Sequence, residues 1–122
     1  MAELIVGLGA RPGVSAAAIR RAIREALGNN IIRGLATIDR RAGEPGLLIV
    51  AAELGVAVHA YSAAELDRVR VPSPAARTRE ALGTASVAEA AAVLAGGGPL
   101  VLRKRVVGGV VVAAARYRPG SI

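Results

Sequence analysis

Apolar and polar positions follow two different periods along the chain, and the changes of period mark its elements. Leu4-Ile5-Val6 is a short apolar run leading into Gly7-Leu8-Gly9, the pattern of a buried strand that enters a glycine loop. Ser15 then reads as a helix N-cap. Behind it Ile19, Ile23, Ala26 and Leu27 recur at helical spacing on one face, with Arg20, Arg21, Arg24 and Glu25 off that face. Gly28 and Asn29 tolerate the left-handed conformation and end this helix. Ile31 to Ile38 returns apolar and β-branched, with Leu35 to Ile38 the strongest strand signal, and exits into a charged loop, Asp39-Arg40-Arg41-Ala42-Gly43. Glu44 and Pro45 open a second helix, where the missing N–H of proline costs nothing. Leu47, Leu48, Ala51, Ala52 and Leu54 make it apolar over most of its girth, which predicts deep packing. Gly55 stops it, and Val56 to Tyr61 is the next strand.

Ser62 and Glu65 have the spacing of a capping box, and so do Ser86 and Glu89. The first opens a short helix, because Val69-Arg70-Val71-Pro72 reads as extended; Ser73-Pro74 opens another that runs to Leu82. Behind Ser86, Val87, Ala90, Ala91, Leu94 and Ala95 form a helical stripe that stops at Gly96-Gly97-Gly98-Pro99. Leu100 to Val107 and Val110 to Arg116 flank Gly108-Gly109, the signature of a tight hairpin whose turn needs positive φ at both central positions. Strands alternating with helices imply parallel pairs covered on both faces, and the terminal hairpin adds an antiparallel pair. The expected fold is a three-layer α/β/α domain with a mixed sheet and a C-terminal β-hairpin, one domain over residues 1–122.

Composition narrows the chemistry. There is no Cys, Phe or Trp, so disulfides, a thiolate nucleophile and a cysteine-held zinc are excluded. The formal net charge of +7 comes almost entirely from arginine, and such a field gathers anions without saying which. Two tyrosines give no stacking platform for single strands or RNA, which makes nucleic acid the weaker partner reading. The N-terminus lacks a signal-peptide pattern, and no run approaches the ~20 apolar residues of a membrane span. A cytoplasmic protein without a membrane partner is expected.

Ligands of open α/β sheets bind beyond the carboxyl ends of the strands. Three segments should meet there: Gly7 to Val14, Asp39 to Gly43 and the Tyr61-Ser62 junction. The first precedes a helix, so its N–H groups, from Gly9 through Gly13 to Ser15, suit a phosphate or carboxylate, and Arg11 adds a fork of donors. Pro12 stands where a dinucleotide fingerprint needs glycine, and Leu8 and Val14 break the P-loop pattern. The plainer alternative is a tight strand-to-helix turn with a surface arginine. Asp39 and Glu44 are candidates for a general acid-base pair. Their plainer roles are a cap or arginine partner for Asp39 and a first-turn helix acid for Glu44. His59, the single histidine, reads as a structural or edge residue, and no metal-ligand cluster is visible.

The order of these motifs resembles the family of the cobalamin-biosynthesis protein CobE and the C-terminal domain of CbiG. The resemblance rests on Gly7-Leu8-Gly9-Ala10-Arg11-Pro12-Gly13-Val14-Ser15, on Ala36-Thr37-Ile38-Asp39 leading to Glu44-Pro45-Gly46-Leu47-Leu48, and on Tyr61-Ser62-Ala63-Ala64-Glu65-Leu66. Val71-Pro72-Ser73-Pro74, Ser86-Val87-Ala88-Glu89-Ala90-Ala91 and the closing Val110 to Arg116 after Lys104 complete it. Ala10-Arg11-Pro12 departs from the family's frequent cysteine and two arginines, so a thiol role is absent, and Ser73 replaces the family's asparagine. The resemblance implies a role in corrin-ring synthesis, with a corrinoid biosynthetic intermediate as ligand, other enzymes of the cobalamin pathway as further partners and no cofactor of its own. CbiG proteins open a lactone on a cobalt-containing precursor and release acetaldehyde. Two expectations follow: a binder that grips peripheral carboxylates through Gly9, Arg11, Gly13, Ser15 and Lys104, or a hydrolase in which Asp39 or Glu44 activates water and Arg11 steadies the developing oxyanion. A generic polyanion binder is the third.

Overall fold

The computed structural model describes residues 3–69 and 85–119, with the backbone alone at residues 85 and 86. Five strands form one sheet in the order β3-β2-β1-β5-β4. They are β1 (Glu3–Gly9), β2 (Ile31–Ile38), β3 (Val58–Tyr61), β4 (Gly97–Val107) and β5 (Val110–Tyr117). The first three run parallel; β5 is antiparallel to β1 and to β4. The helices are α1 (Ala16–Leu27), α2 (Asp39–Ala42), α3 (Pro45–Leu54), α4 (Ala63–Asp67) and α5 (Ala85–Gly96). The expected mixed sheet, two-sided helical cover and terminal hairpin are all present.

Alternation along β1 builds the two cores. Leu4, Val6 and Leu8 face α1 and α3, packing with Ile19, Ile23, Leu27, Leu47 and Val50. Ile5 faces the other way, onto α4 and α5 with Ile38, Leu66 and Ala91. Each large aliphatic side chain so buried contributes about 1.5–3 kcal/mol by leaving water. The α5 side of the sheet is unusually small in its side chains: Ala88, Ala91, Ala92 and Ala95 on α5 and Ala113 and Ala115 on β5 are fully buried. Small residues bring helix and sheet together, and Gly7 marks the closest approach. A Cβ built there would lie 1.8 Å from the Ala88 carbonyl oxygen.

That packing corrects the reading of Gly7-Leu8-Gly9 as loop. The strand continues to Gly9, because Leu8 and Gly9 pair with Val112 and Val111 of β5. Gly7 is required by α5, not by a turn. Asp39 to Ala42, read as a charged loop, is one helical turn with its acid first and Arg40 and Arg41 last, the order the helix dipole favours. The deep packing expected of α3 holds for one face only: Leu47, Val50 and Ala51 are buried, but Leu48 and Ile49 are each 49% exposed. Strand β3 begins at Val58, not Val56, because the Val56 N–H is spent on the Ala51 carbonyl in the left-handed cap made by Gly55 (φ 70°).

Local signals were realised closely. The Ser15 hydroxyl accepts from the Ala18 N–H. Ser62 and Glu65 form the full reciprocal capping box. Gly108 and Gly109 take φ of 57° and 82° in the hairpin turn. The helix expected from Ser73 to Leu82 and the extended run beyond Val69 lie outside the described residues; Val69 itself is a bend whose N–H returns to the Leu66 carbonyl. No helix among the described residues is long and apolar enough to cross a membrane.

Candidate functional site at the carboxyl ends of the strands

Parallel pairing brings the carboxyl ends of β1, β2 and β3 to one side of the sheet. The β4–β5 hairpin turn lies on that side too, since Gly9 is level with Val111 and Val111 with Val106. Residues 10–15, α2 and the Tyr61-Ser62 junction therefore converge as the sequence order implied.

The loop after β1 is tied down from the second strand's side. The Gly13 N–H donates to Glu44 Oε1 at 2.9 Å, made possible by a positive φ of 79° that glycine adopts freely. Arg41 Nε donates to the Ala10 carbonyl at 3.2 Å, and its Nη1 lies 4.0 Å from Glu44 Oε2. Thr37, buried, donates its hydroxyl to the Leu8 carbonyl at 2.7 Å. The first turn of α3 closes on the same backbone: a Cβ on Gly46 would stand 2.4 Å from the Val14 oxygen and 2.8 Å from the Ala16 nitrogen. Two helix N-termini thus meet and satisfy each other's surroundings.

This arrangement changes what each candidate residue offers. Sequence pattern suggests a loop of unpaired N–H groups; the Gly13 N–H is instead held by the protein's own carboxylate. Glu44 is the N-cap residue of α3, not a first-turn acid, and its side chain reaches across to the loop that precedes α1 rather than capping its own helix. Ser15 is a cap by its side chain, and Gly9 is a buried strand residue. Asp39 is exposed at the first position of α2. Arg11 and Arg40 are exposed beyond the ends of β1 and β2, with no acidic partner among the described residues. Lys104 lies on β4, two strands from β1, exposed and also without an acidic partner for its side chain. Burial and the nearby Glu65 carboxylate raise the Tyr61 phenol above its ordinary pKa, so at neutral pH it is a hydroxyl donor at the rim.

At the opposite end of the sheet some arginines are paired, and others, Arg24 and Arg116, are exposed without an acidic partner among the described residues. There Arg33 meets Glu3 at 2.7 Å and lies 5.5 Å over the Tyr117 ring, while Arg20 grips Glu53 with two hydrogen bonds of 2.9 and 2.7 Å. A cleft of about 310 Å³ opens at that end between α1 and α3, beside Arg20, Arg24, Asn30 and Glu53. His59 sits half-buried on edge strand β3, against Gly34, as a structural residue would. No cluster of His, Asp and Glu suited to a metal ion occurs among the described residues. Sequence reasoning passed over Thr37, and it read Glu89 only as part of a capping box. A lone acid inside Val87-Ala88-Glu89-Ala90-Ala91 was the available signal for a buried carboxylate.

Sheet order, the two-sided cover and the matched sequence define the class. The chain belongs to the Cobalamin synthesis G C-terminus family, whose match covers residues 4–115. Among particular proteins it is similar to the cobalt-precorrin-5A hydrolase of Priestia megaterium, 32% identical over 118 residues; the chain spans 92% of its own length but only about a third (32%) of that relative. Its structure is similar to that of CobE, a protein from the cobalamin biosynthetic pathway, with a TM-score of 0.75, 36% identity and coverage of 96% of this chain and 92% of that one. It is also similar to the cobalamin biosynthesis protein chiG of Agrobacterium tumefaciens, with a TM-score of 0.67, 30% identity and coverage of 93% and 98%. A cobalamin biosynthesis protein G homologue of Sulfolobus solfataricus matches at TM-score 0.74 and 25% identity, over 96% of this chain and 37% of that one.

Proposed function

We propose that this member of a cobalamin-biosynthesis family binds an anionic corrinoid intermediate at the carboxyl-end rim of its sheet, in the cytoplasm, and assists its processing. One observation carries the reading. Arg11 and Arg40 stand exposed beyond neighbouring parallel strands without acidic partners among the described residues, whereas Arg20, Arg33 and Arg41 are engaged by Glu53, Glu3 and Glu44. Guanidinium forks left open in this way suit the carboxylates that ring a corrinoid. Gly9, Gly13 and Ser15 serve this site by shaping the loop that carries Arg11, since their polar groups are used within the protein.

The name of the Priestia megaterium relative favours a second reading, a hydrolase acting on the corrinoid lactone. In that case Asp39 is the freer base, because Glu44 is held by the Gly13 N–H. Visible-absorption titration of the protein with a corrinoid precursor tests both. Binding should shift the spectrum and make the two co-elute on gel filtration, and Arg11→Ala should weaken it about tenfold, as expected for a charge-assisted bidentate contact. Unchanged spectra without co-elution refute both readings and leave a generic polyanion binder. Acetaldehyde release that Asp39→Asn abolishes decides for the hydrolase.

A further inference from the structure

Glu89 is the only ionisable side chain wholly buried among the described residues, at 0% exposure on an apolar helix rich in alanine. A carboxylate in such surroundings is costly unless donors meet its oxygens. One donor is unusual. Glu89 Oε2 accepts the backbone N–H of Lys104 at 2.8 Å, reaching from α5 to the edge strand β4. That N–H is available because the register slips: Leu102 is level with Ala114 but Arg105 with Val112, three steps of β4 against two of β5. Such a bulge bends its strand and re-aims side chains.

The bulge sits where it matters for the site. Arg105 is level with Val112, and Val112 with Leu8, one residue short of the end of β1. Two strand spacings, roughly 10 Å, separate β4 from β1. Arg103, Lys104 and Arg105 are all exposed and without acidic partners among the described residues. A macrocycle rimmed by carboxylates is wide enough to reach both places.

We infer that Glu89 is a positioning residue: from beneath the sheet it holds the β4 bulge and so presents Lys104 to a second carboxylate of the corrinoid that Arg11 grips. This rests on the corrinoid reading above. Blunting of an edge strand by a charged bulge is the competing account, and it assigns Lys104 no ligand.

The test is a double-mutant cycle on the full chain, titrated with cobyrinic acid, a corrinoid whose peripheral carboxylates are free. Lys104→Met should weaken binding about three- to tenfold. Glu89→Ala should weaken it comparably in the wild-type background and add nothing in the Lys104→Met background, while lowering the melting temperature equally in both. If Glu89→Ala does not fold, Glu89→Met, which keeps the length of the side chain but has no accepting oxygen, carries the same cycle, and Glu89→Gln, which keeps an acceptor, should bind as wild type does. With cobinamide, whose side chains are amides, the Lys104 effect should vanish. Wild-type affinity in Lys104→Met, or a Glu89 effect undiminished in its absence, overturns the inference. Arg11→Ala separates the two levels. If it weakens binding while Lys104→Met does not, only the inference falls; if neither variant weakens binding, the corrinoid reading falls as well.

Discussion

Gly7→Ala should unfold this protein at a markedly lower temperature, for a reason that lies 81 positions away on α5. The added Cβ would stand 1.8 Å from the Ala88 carbonyl oxygen, 2.8 Å from its carbon and 2.9 Å from the Ala92 nitrogen. Ordinary contact begins at 3.4 Å, so helix and sheet must part by about 1.6 Å, the difference of the two distances. All the atoms met are backbone, and no rotamer change relieves the overlap. Overpacking of this kind costs about 1–3 kcal/mol, and here the upper end applies because a whole helix must move. Alanine recovers about 0.4–1 kcal/mol by restricting the unfolded chain. The net loss is about 2 kcal/mol or more, roughly 8 °C in melting temperature for a chain of this size. Urea unfolding followed by circular dichroism measures it, and the matched control is Gly43→Ala, where a Cβ meets nothing within 4 Å and φ is −93°. The control should stay within about 0.5 kcal/mol of wild type. A Gly7→Ala protein as stable as the control would refute the packing argument. Stability kept but corrinoid binding lost would restore Gly7 to the ligand loop.

Two further outcomes test the ties between elements. Glu44→Ala should cost about 1 kcal/mol and shift the Gly13 amide resonance, whereas Glu44→Gln, which keeps an accepting oxygen, should be nearly neutral; equal losses would show that the Gly13 contact is not what Glu44 supplies. The hydrogen-bonded Arg20 guanidinium holds the Glu53 carboxyl below its ordinary pKa, so the pair's contribution is present above the unfolded-state value and lost as pH falls through the folded one. Urea midpoints of wild type and Glu53→Gln should therefore differ at neutral pH and converge in acid, with a small gap because the pair is exposed. A gap that persists unchanged at low pH would rule out this ionic tie between α1 and α3.

What the sequence disclosed was local. Ser15, the Ser62–Glu65 box, Gly55 and the Gly108-Gly109 turn act within a few residues, and each was realised where it was read. What it concealed was made by contacts between distant segments. Gly7 looked like a loop residue because nothing nearby in the chain announces the helix that presses on it. Glu44 and Gly13 are 31 positions apart, and only the parallel pairing of β1 with β2 brings their loops together. The contrast between Glu65 and Glu89 is the sharpest. Both follow a serine by three residues, yet Glu65 bonds the Ser62 N–H at an exposed helix start while Glu89 is wholly buried and also reaches a strand 15 positions on. Spacing makes a box geometrically available; the burial of Glu89 and its contact with β4 come from the apolar helix and the strand packed on it.

The internal use of the glycine loop bears on how the rim recognises a ligand. A phosphate-cradling loop binds through backbone dipoles that are fixed before the ligand arrives, which demands an empty loop. Here the Gly13 N–H is taken by Glu44 and the first turn of α3 packs at Gly46 against the backbone at Val14, which braces the loop that carries Arg11. On the corrinoid reading proposed above, recognition would fall to long cationic side chains projecting from rigid roots: Arg11 from the braced loop, Arg40 from α2 and Lys104 from a clamped bulge. Cations on mobile stems adapt to carboxylates that themselves sit on flexible arms, which a preformed cradle for one compact anion does not. The same rim would discriminate poorly by the shape of any single anion and well by the spacing of several. A corrinoid intermediate, with many carboxylates set around one stiff ring, is the kind of ligand for which that trade is favourable.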